Sequence, residues 1–186
     1  MSNLTPSGMR LNIGLRLISN EFTHNPYINN LLLLKDAGSS HEQDVETILR
    51  SLKNLKDASE QVLFHDKILD KLFQLMAHNR DPEVGDLLFE TIISMIDLFH
   101  TRFADYKDIL ETYIAKHFAH ARVYAALLQQ VRKMSERIKV GLTENAQSEE
   151  KNAYVLMTMK YLGTVLKLVR NSFLEALSCQ DAVPEH

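Results

Sequence analysis

The sequence predicts an all-α fold built from antiparallel helix pairs. Apolar residues recur at spacings of three and four through most of the chain, as they do on the buried face of a helix. Asn25-Pro26 and Asp81-Pro82 each join a capping side chain to a proline at the first helical position. Polar breaks of about two to eight residues separate the apolar segments, and connections this short join antiparallel neighbours.

The chain ahead of the first helix has a different period. From Met9 to Leu17 apolar and polar residues alternate, which is typical of a half-buried strand. A single strand needs a partner for its backbone donors and acceptors. We therefore expect one short N-terminal strand before the helices, and its lack of a partner suggests that the chain is cut from a larger protein.

Seven helices follow, and their pairs recur about every 40 residues, a spacing in the range of armadillo and HEAT repeats. Gly141 is expected to end the sixth helix as a left-handed residue. The predicted spans are about 26–36, 40–55, 57 or 59 to 79, 82–99, 106–117, 121–140 and 148–177. These features favour an armadillo/HEAT-like α-α superhelical stack over a closed bundle.

Composition and charge exclude several function classes. Lys and Arg total 21 against 24 for Asp and Glu, a net charge of -3 that gives no electrostatic footprint for nucleic acid. The longest apolar run, Val123 to Leu128, is far shorter than the roughly 20 residues of a membrane span. The N-terminus has no secretory signal pattern, and Cys179 is the only cysteine, so no internal disulfide is possible. A cytoplasmic protein without nucleic-acid partners is expected.

Histidines suggest a possible metal site. Asp97 and His100 have the acid-x-x-His spacing of di-iron bundles, and His117 and His120 would share a helical face. A di-iron site needs a second such element on another helix, and the predicted helices lack one. Cys179 has no basic neighbour in sequence to lower its pKa. The sequence therefore predicts no catalytic site, metal or cofactor, and a metal-dependent helical enzyme is a minor alternative.

Aromatic and polar residues are unusually dense in the fifth helix and the start of the sixth. Tyr113, His117 and Tyr124 are expected on adjacent helices, beside Lys116 and Arg122. Such amphipathic rings form either a buried polar network or a partner-binding patch, and we favour the network.

This segment is also predicted to be structural. On an α-helix Tyr113 and His117 lie on one face, whereas Phe118, five residues after Tyr113, lies on another. The motif should therefore contact two neighbouring elements. Its candidate residues are Glu111, Thr112, Tyr113, Ile114, His117, Phe118 and Tyr124.

The run from Ile109 to Phe118, ILETYIAKHF, followed by Tyr124 and Leu127, resembles a segment of the DOCK (dedicator of cytokinesis) family of Rho-family guanine-nucleotide exchange factors. Other stretches resemble the same family in the same order: 15–34, 48–50 with 69–73, and 88–93. The chain departs from the family at Asp36, where a tryptophan is common.

The resemblance implies a placement within a longer protein. Residues 1–25 would be the terminal strand and exit of the lipid-binding β-sandwich, 26–180 an armadillo-like helical scaffold, and 181–186 a disordered tail. The chain would be a non-catalytic scaffold segment that links the membrane-binding region to the exchange domain and offers protein-interaction surface. Both the lipid-binding loops and the exchange residues would lie outside it.

The resemblance also implies partners. A Rac-like GTPase of the Rho family would bind the exchange domain that this chain lacks, and an ELMO-type adaptor or self-association could engage the scaffold. The full-length protein would be recruited from the cytoplasm to the plasma membrane. The alternative is an independent helical-repeat adaptor that binds peptides or protein partners in a concave groove.

Overall fold

A computed structural model describes residues 23–34, 42–55, 58–143 and 149–181 of the chain. Within these ranges there are only helices and their connections; the predicted strand from Met9 to Leu17 lies outside them. The α-helices of the described ranges are α1 (Pro26–Leu33), α2 (Glu42–Lys53), α3 (Ser59–Leu63), α4 (His65–His78), α5 (Pro82–Thr101), α6 (Lys107–Thr112), α7 (Tyr124–Thr143), α8 (Glu149–Lys160) and α9 (Leu162–Asp181). A 3₁₀ turn (Ala104–Tyr106) precedes α6, and a π turn (Tyr113–His117) follows it.

Both predicted cap-then-proline starts are confirmed. The Asn25 side chain accepts hydrogen bonds from the backbone N–H groups of the second and third residues of α1, at 2.9 and 3.3 Å. Asp81 does the same at the start of α5, at 2.7 and 3.3 Å. Each cap satisfies donors that a helix leaves unpaired at its N-terminus.

Two predicted helices are interrupted by a buried aromatic residue. The predicted third helix divides at Phe64 into α3 and α4, and the predicted last helix divides at Tyr161 into α8 and α9. At Tyr161 the backbone N–H is shared between the carbonyls of Met157 (3.3 Å) and Thr158 (3.2 Å). Because hydrogen bonding continues through both points, the apolar periodicity runs across them and gives no sign of a break.

The boundaries predicted around the central motif were wrong in two places. The predicted fifth helix ends at His117 as expected, but its last turn, from Tyr113, is π-helical and not α-helical. The helix predicted to begin at Ala121 begins at Tyr124, after a turn. Gly141 does not end α7, which continues to Thr143; a glycine inside a helix costs only about 1 kcal/mol and does not force an end.

A single hydrophobic cluster joins α1 to α9, from Ile28 to Leu168. Helix α5 lies at its centre and packs against α2, α4, α6, α7 and α8. Helix α9 packs against α7, α8 and the π turn. The predicted all-α class is therefore confirmed for the described residues. None of their helices is long and apolar enough to cross a membrane.

Candidate functional site

A polar cluster lies where the π turn meets α4. The backbone N–H of Phe118 donates to the carbonyl of Tyr113 at 2.9 Å, the five-residue hydrogen bond that defines a π turn. The Tyr113 side chain is buried, and its hydroxyl donates to Asp70 Oδ1 on α4 at 2.6 Å. His120 Nε2 lies 3.1 Å from the same carboxylate oxygen. One carboxylate thus joins Tyr113, at the start of the turn, and His120, three residues beyond its end, to α4.

The wider turn also changes which aromatic residues meet. The rings of Tyr113 and Phe118 make an edge contact, with centroids 6.4 Å apart. Phe118 is buried and makes a closer edge contact with Phe73, at 4.8 Å. The prediction that Tyr113 and Phe118 lie on different faces was wrong, because it assumed α-helical geometry where the chain closes a five-residue hydrogen bond.

Electrostatics fix the direction of the hydrogen bond between Tyr113 and Asp70. Burial by itself raises the pKa of Asp70, but hydrogen bonds from His120 and Tyr113, together with the charges of His120 and His117, outweigh it and hold the pKa below the ordinary value of 3.8. Burial first, and then the hydrogen bond and charge of Asp70, raise the pKa of the Tyr113 phenol far above its ordinary value. At neutral pH the carboxylate is therefore charged and the phenol stays protonated, an arrangement suited to structure.

An open depression of about 540 Å³ lies beside this cluster. Its lining residues are His65, Asp66, Asp70, Asp108, Ile109, Thr112, Tyr113 and His117. Nowhere in the described ranges do three or more His, Cys, Asp or Glu side chains form a group that could hold a metal ion.

The three candidate histidines do not form one site. His120 bonds to Asp70, and His117 is exposed at the depression. His100 Nδ1 lies 2.9 Å from the carbonyl oxygen of Ile96, and its ring packs against Tyr161 with centroids 4.9 Å apart.

Helix α9 holds the other side of the π turn. Asn171 Nδ2 donates to the carbonyl of Ile114 at 2.7 Å, satisfying a group that the widened turn leaves open. Lys167 Nζ lies 2.9 Å from the carboxylate of Glu111. The motif therefore contacts two neighbouring elements, α4 and α9, as the sequence predicted.

Ser172 of α9 ties the chain leaving the turn to the start of α7. Its hydroxyl accepts from the backbone N–H of Tyr124 at 2.9 Å and donates to the carbonyl of His120. Ser172 is fully buried and is the partner of the Tyr124 N–H, whereas the His120 carbonyl also accepts from the backbone N–H of Val123 at 3.3 Å.

The polar network therefore differs from the predicted buried one in membership and in burial, since the Asp70 side chain is 53% exposed. Tyr113 belongs to it, but its partners are Asp70 and His120, while His117 is exposed and the Tyr124 ring packs at 5.5 Å against Phe173. Asp70 was missed because it lies on the polar face of α4, where nothing local distinguishes it. Ser172 could have been found, since it is a polar residue on the apolar stripe of α9.

Known proteins resemble this chain in the same helical region. Residues 41–182 match the family model described as the dedicator of cytokinesis (DOCK) TPR region. Human dedicator of cytokinesis protein 4 is 30% identical over 147 residues, which are 78% of this chain and 7% of that protein. Mouse dedicator of cytokinesis protein 3 is 30% identical over 118 residues, 63% of this chain and 6% of that protein.

The chain thus spans about 7% of the length of the first of these curated relatives. No solved structure matches it. TPR units are helix pairs, in agreement with the all-α helical architecture described above. The chain belongs to the DOCK family, in which it corresponds to the helical TPR region.

Proposed function

We propose that this chain is a non-catalytic helical scaffold segment of a DOCK-type Rho/Rac guanine-nucleotide exchange factor. The observation that carries the proposal is the single hydrophobic cluster from α1 to α9, because helices that share one core move as one body. In this role the segment holds the membrane-binding region and the exchange domain in a fixed relation and offers surface to protein partners.

The proposal includes a division of the chain. Residues 26–180 form an armadillo-like superhelical stack of helix pairs, residues 1–25 the last strand and exit of a lipid-binding β-sandwich, and residues 181–186 a tail. The packing of α1 against α2, α4 against α5 and α7 against α9 supports the stacked pairs. The family match begins at residue 41, so the assignment of residues 1–25 has only the resemblance behind it.

Family membership also supports the partners. A Rac-like GTPase would be served by the exchange domain of the longer protein, with an ELMO-type adaptor or self-association at the scaffold. The longer protein would act in the cytoplasm and at the plasma membrane. The tyrosine, histidine and phenylalanine motif of the π turn would be internal to the scaffold and structural.

A linker-replacement experiment tests this function. In the longer protein, residues 26–180 are replaced by a flexible Gly/Ser linker, and nucleotide release from Rac is measured in solution and on phosphoinositide-containing vesicles. We expect the rate in solution to be retained and the enhancement on vesicles to be lost. Equal enhancement with the linker would contradict the proposal, as would acceleration of nucleotide release by the isolated chain.

An independent helical-repeat adaptor is the second candidate. It is favoured by large apolar side chains that α8 and α9 leave exposed, such as Leu156 at 70%. An open reading frame that continues into exchange-domain sequence would remove this alternative.

A further inference from the structure

Helix α3 is only five residues long, but two of its consecutive side chains bond to the first helix pair. Glu60 bonds to the chain just ahead of α1, and Gln61 bonds to the last turn of α2. Neighbouring side chains of a helix point about 100° apart, so the two can bond in different directions. Helices α1 and α2 pack against each other, and α3 therefore lies where the first begins and the second ends.

One carboxylate oxygen of Glu60 holds three consecutive residues ahead of α1. Its Oε2 atom accepts from the Thr23 hydroxyl and from the backbone N–H groups of His24 and Asn25, both at 3.1 Å. The Asn25 N–H also donates to the Thr23 hydroxyl oxygen at 3.0 Å. Hydrogen bonds to an ionised acceptor are stronger than neutral ones. The backbone ahead of α1 is thus fixed by a residue 35 to 37 positions away along the chain.

Gln61 attaches α3 to the end of α2. Its side chain is buried, and its Nε2 atom donates to the carbonyl of Leu52 at 2.7 Å. Carbonyls in the last turn of a helix lack an intrahelical partner, and this one otherwise accepts only a longer bond, from the Leu55 N–H at 3.5 Å. Because Gln61 is held in this way, the position of its neighbour Glu60 is held as well.

Helix α1 depends on contacts of this kind for its order. It has eight residues, and its buried side chains are Ile28 and Leu31. Isolated helices shorter than about 12 residues are marginal in water. Asn25 caps α1, but a cap acts within the first turn and does not attach the helix to the rest of the fold. The attachment at this end comes from Glu60.

We propose that α3 is a bracket that fixes the direction in which the chain enters the helices, with Glu60 as the attachment and Gln61 as its support. The inference deepens the scaffold function proposed above and rests on it for its role in the longer protein. A preceding region can be held in a fixed relation to the helices only if the chain that enters them is held. The bracket itself is tested without reference to that function.

Amide hydrogen exchange on the 186-residue chain tests the bracket. Glu60→Ala removes the acceptor of the His24 and Asn25 amides. We expect hydrogen exchange at these two amides and throughout α1 to become at least about tenfold faster, because the charge-assisted bonds are lost and α1 opens locally. The amides of α4 and α5 should stay as protected as in the parent chain.

Glu83→Ala is the matched control. Glu83 is exposed and, like Glu60, is the second residue of its helix, so both variants remove the same charge from the same helical position. Glu83→Ala should leave hydrogen exchange at His24 and Asn25 unchanged. If Glu60→Ala fails to fold, Glu60→Gln keeps the size of the side chain and one neutral acceptor, and should give a smaller increase at the same amides.

Gln61→Leu distinguishes a bracket from two independent hydrogen bonds. The Gln61 side chain bonds to α2, so independent bonds predict no change at His24 and Asn25. A bracket predicts about threefold faster hydrogen exchange there, because neighbouring contacts are coupled. No change at these amides in either Glu60→Ala or Gln61→Leu would overturn the proposal. So would an equal increase throughout α4 and α5, since the whole fold would then be destabilised.

A last arm repeats the hydrogen-exchange measurement with the longer protein. The His24 and Asn25 amides should be protected in the parent and released by Glu60→Ala. Protection that survived Glu60→Ala there would overturn the proposal, because another part of the polypeptide would then hold this segment. The linker replacement measures nucleotide release on vesicles and can fail while the bracket is present, so the two failures are distinguishable.

Discussion

Helix α5 and the α8–α9 unit are both apolar on more than one side, but the fold treats them differently. Helix α5 is covered on its several apolar sides by α2, α4, α6, α7 and α8. The α8–α9 unit buries one side, which includes Tyr161, Val165 and Leu168, while apolar side chains such as Leu156, Leu166 and Phe173 face solvent. A helix that is apolar all round is normally buried all round. The pattern of apolar residues therefore shows which helix faces favour burial, whereas only the fold shows which of these faces the chain buries itself.

The largest expected effect comes from a matched pair of phenylalanine substitutions, one on each helix. Phe99 of α5 is fully buried, so Phe99→Ala should lower the free energy of unfolding by about 3 to 5 kcal/mol. Phe173 of α9 is 46% exposed, so Phe173→Ala should lower it by about 1 kcal/mol or less. Urea denaturation measures both.

If Phe99→Ala fails to fold, Phe99→Leu keeps most of the volume and should lose less than about 1.5 kcal/mol. If Phe99→Ala and Phe173→Ala lost equal free energy of unfolding, the proposed difference in burial between α5 and α9 would be wrong.

The second prediction tests whether the buried core around α5 extends to the π turn. Phe118 is buried against Phe73, with ring centroids 4.8 Å apart, so Phe118→Ala should lower stability by about 3 kcal/mol. Thermal melting followed by circular dichroism measures the change. If Phe118→Ala melted like the parent chain but lost binding to a protein partner, the motif would be a docking surface.

Much of the helical architecture could be predicted from the sequence because its signals are local. The capping side chains of Asn25 and Asp81 act on amides two and three residues away, and a proline follows each of them directly. The wide turn after α6 could not be predicted in this way. It is held by Asp70 on α4 and Asn171 on α9, which lie 43 and 57 residues away from their partners in the motif.

The candidate site shows the same division between local and distant causes. Tyr113 and Phe118 were selected by sequence, and both are buried. Their contact was predicted wrongly, because the periodicity of an α-helix does not allow for a five-residue hydrogen bond. His117 was expected in the buried network but is exposed, since the wider turn changes the direction of the side chains that follow Tyr113.

A third prediction tests how firmly the buried side of α9 is held. Ser172→Ala leaves the N–H of Tyr124 without its buried partner and removes one of the two bonds to the carbonyl of His120, so stability should fall by about 1 to 3 kcal/mol. Ser178, on the same helix, is exposed and bonds only to the carbonyl of Glu175, so Ser178→Ala should change stability by less than about 0.5 kcal/mol. Chemical denaturation of both variants measures the difference, and similar small losses would mean that the buried side of α9 is loosely packed.

The smallest expected effect lies at Asp70, where the core meets solvent beside the depression. Asp70→Asn should lower stability by about 1 kcal/mol at neutral pH, because the charge-assisted bonds from Tyr113 and His120 are lost while the side chain, 53% exposed, remains screened by water. Asp108→Asn, at the rim of the same depression, is the control and should change stability by less than about 0.5 kcal/mol.

The pH dependence of the stability lost in Asp70→Asn gives a sharper test of the same interaction. The pKa of Asp70 is lower in the folded chain than its ordinary value of 3.8, so the folded state binds this proton less readily than the unfolded state. Its contribution is therefore fully present above about pH 4 and disappears as the pH falls through the folded pKa. Unfolding measured from neutral pH downward should show the parent chain and Asp70→Asn converging below about pH 4. A difference that stayed constant throughout this range would show that the carboxylate charge does not hold the π turn against α4.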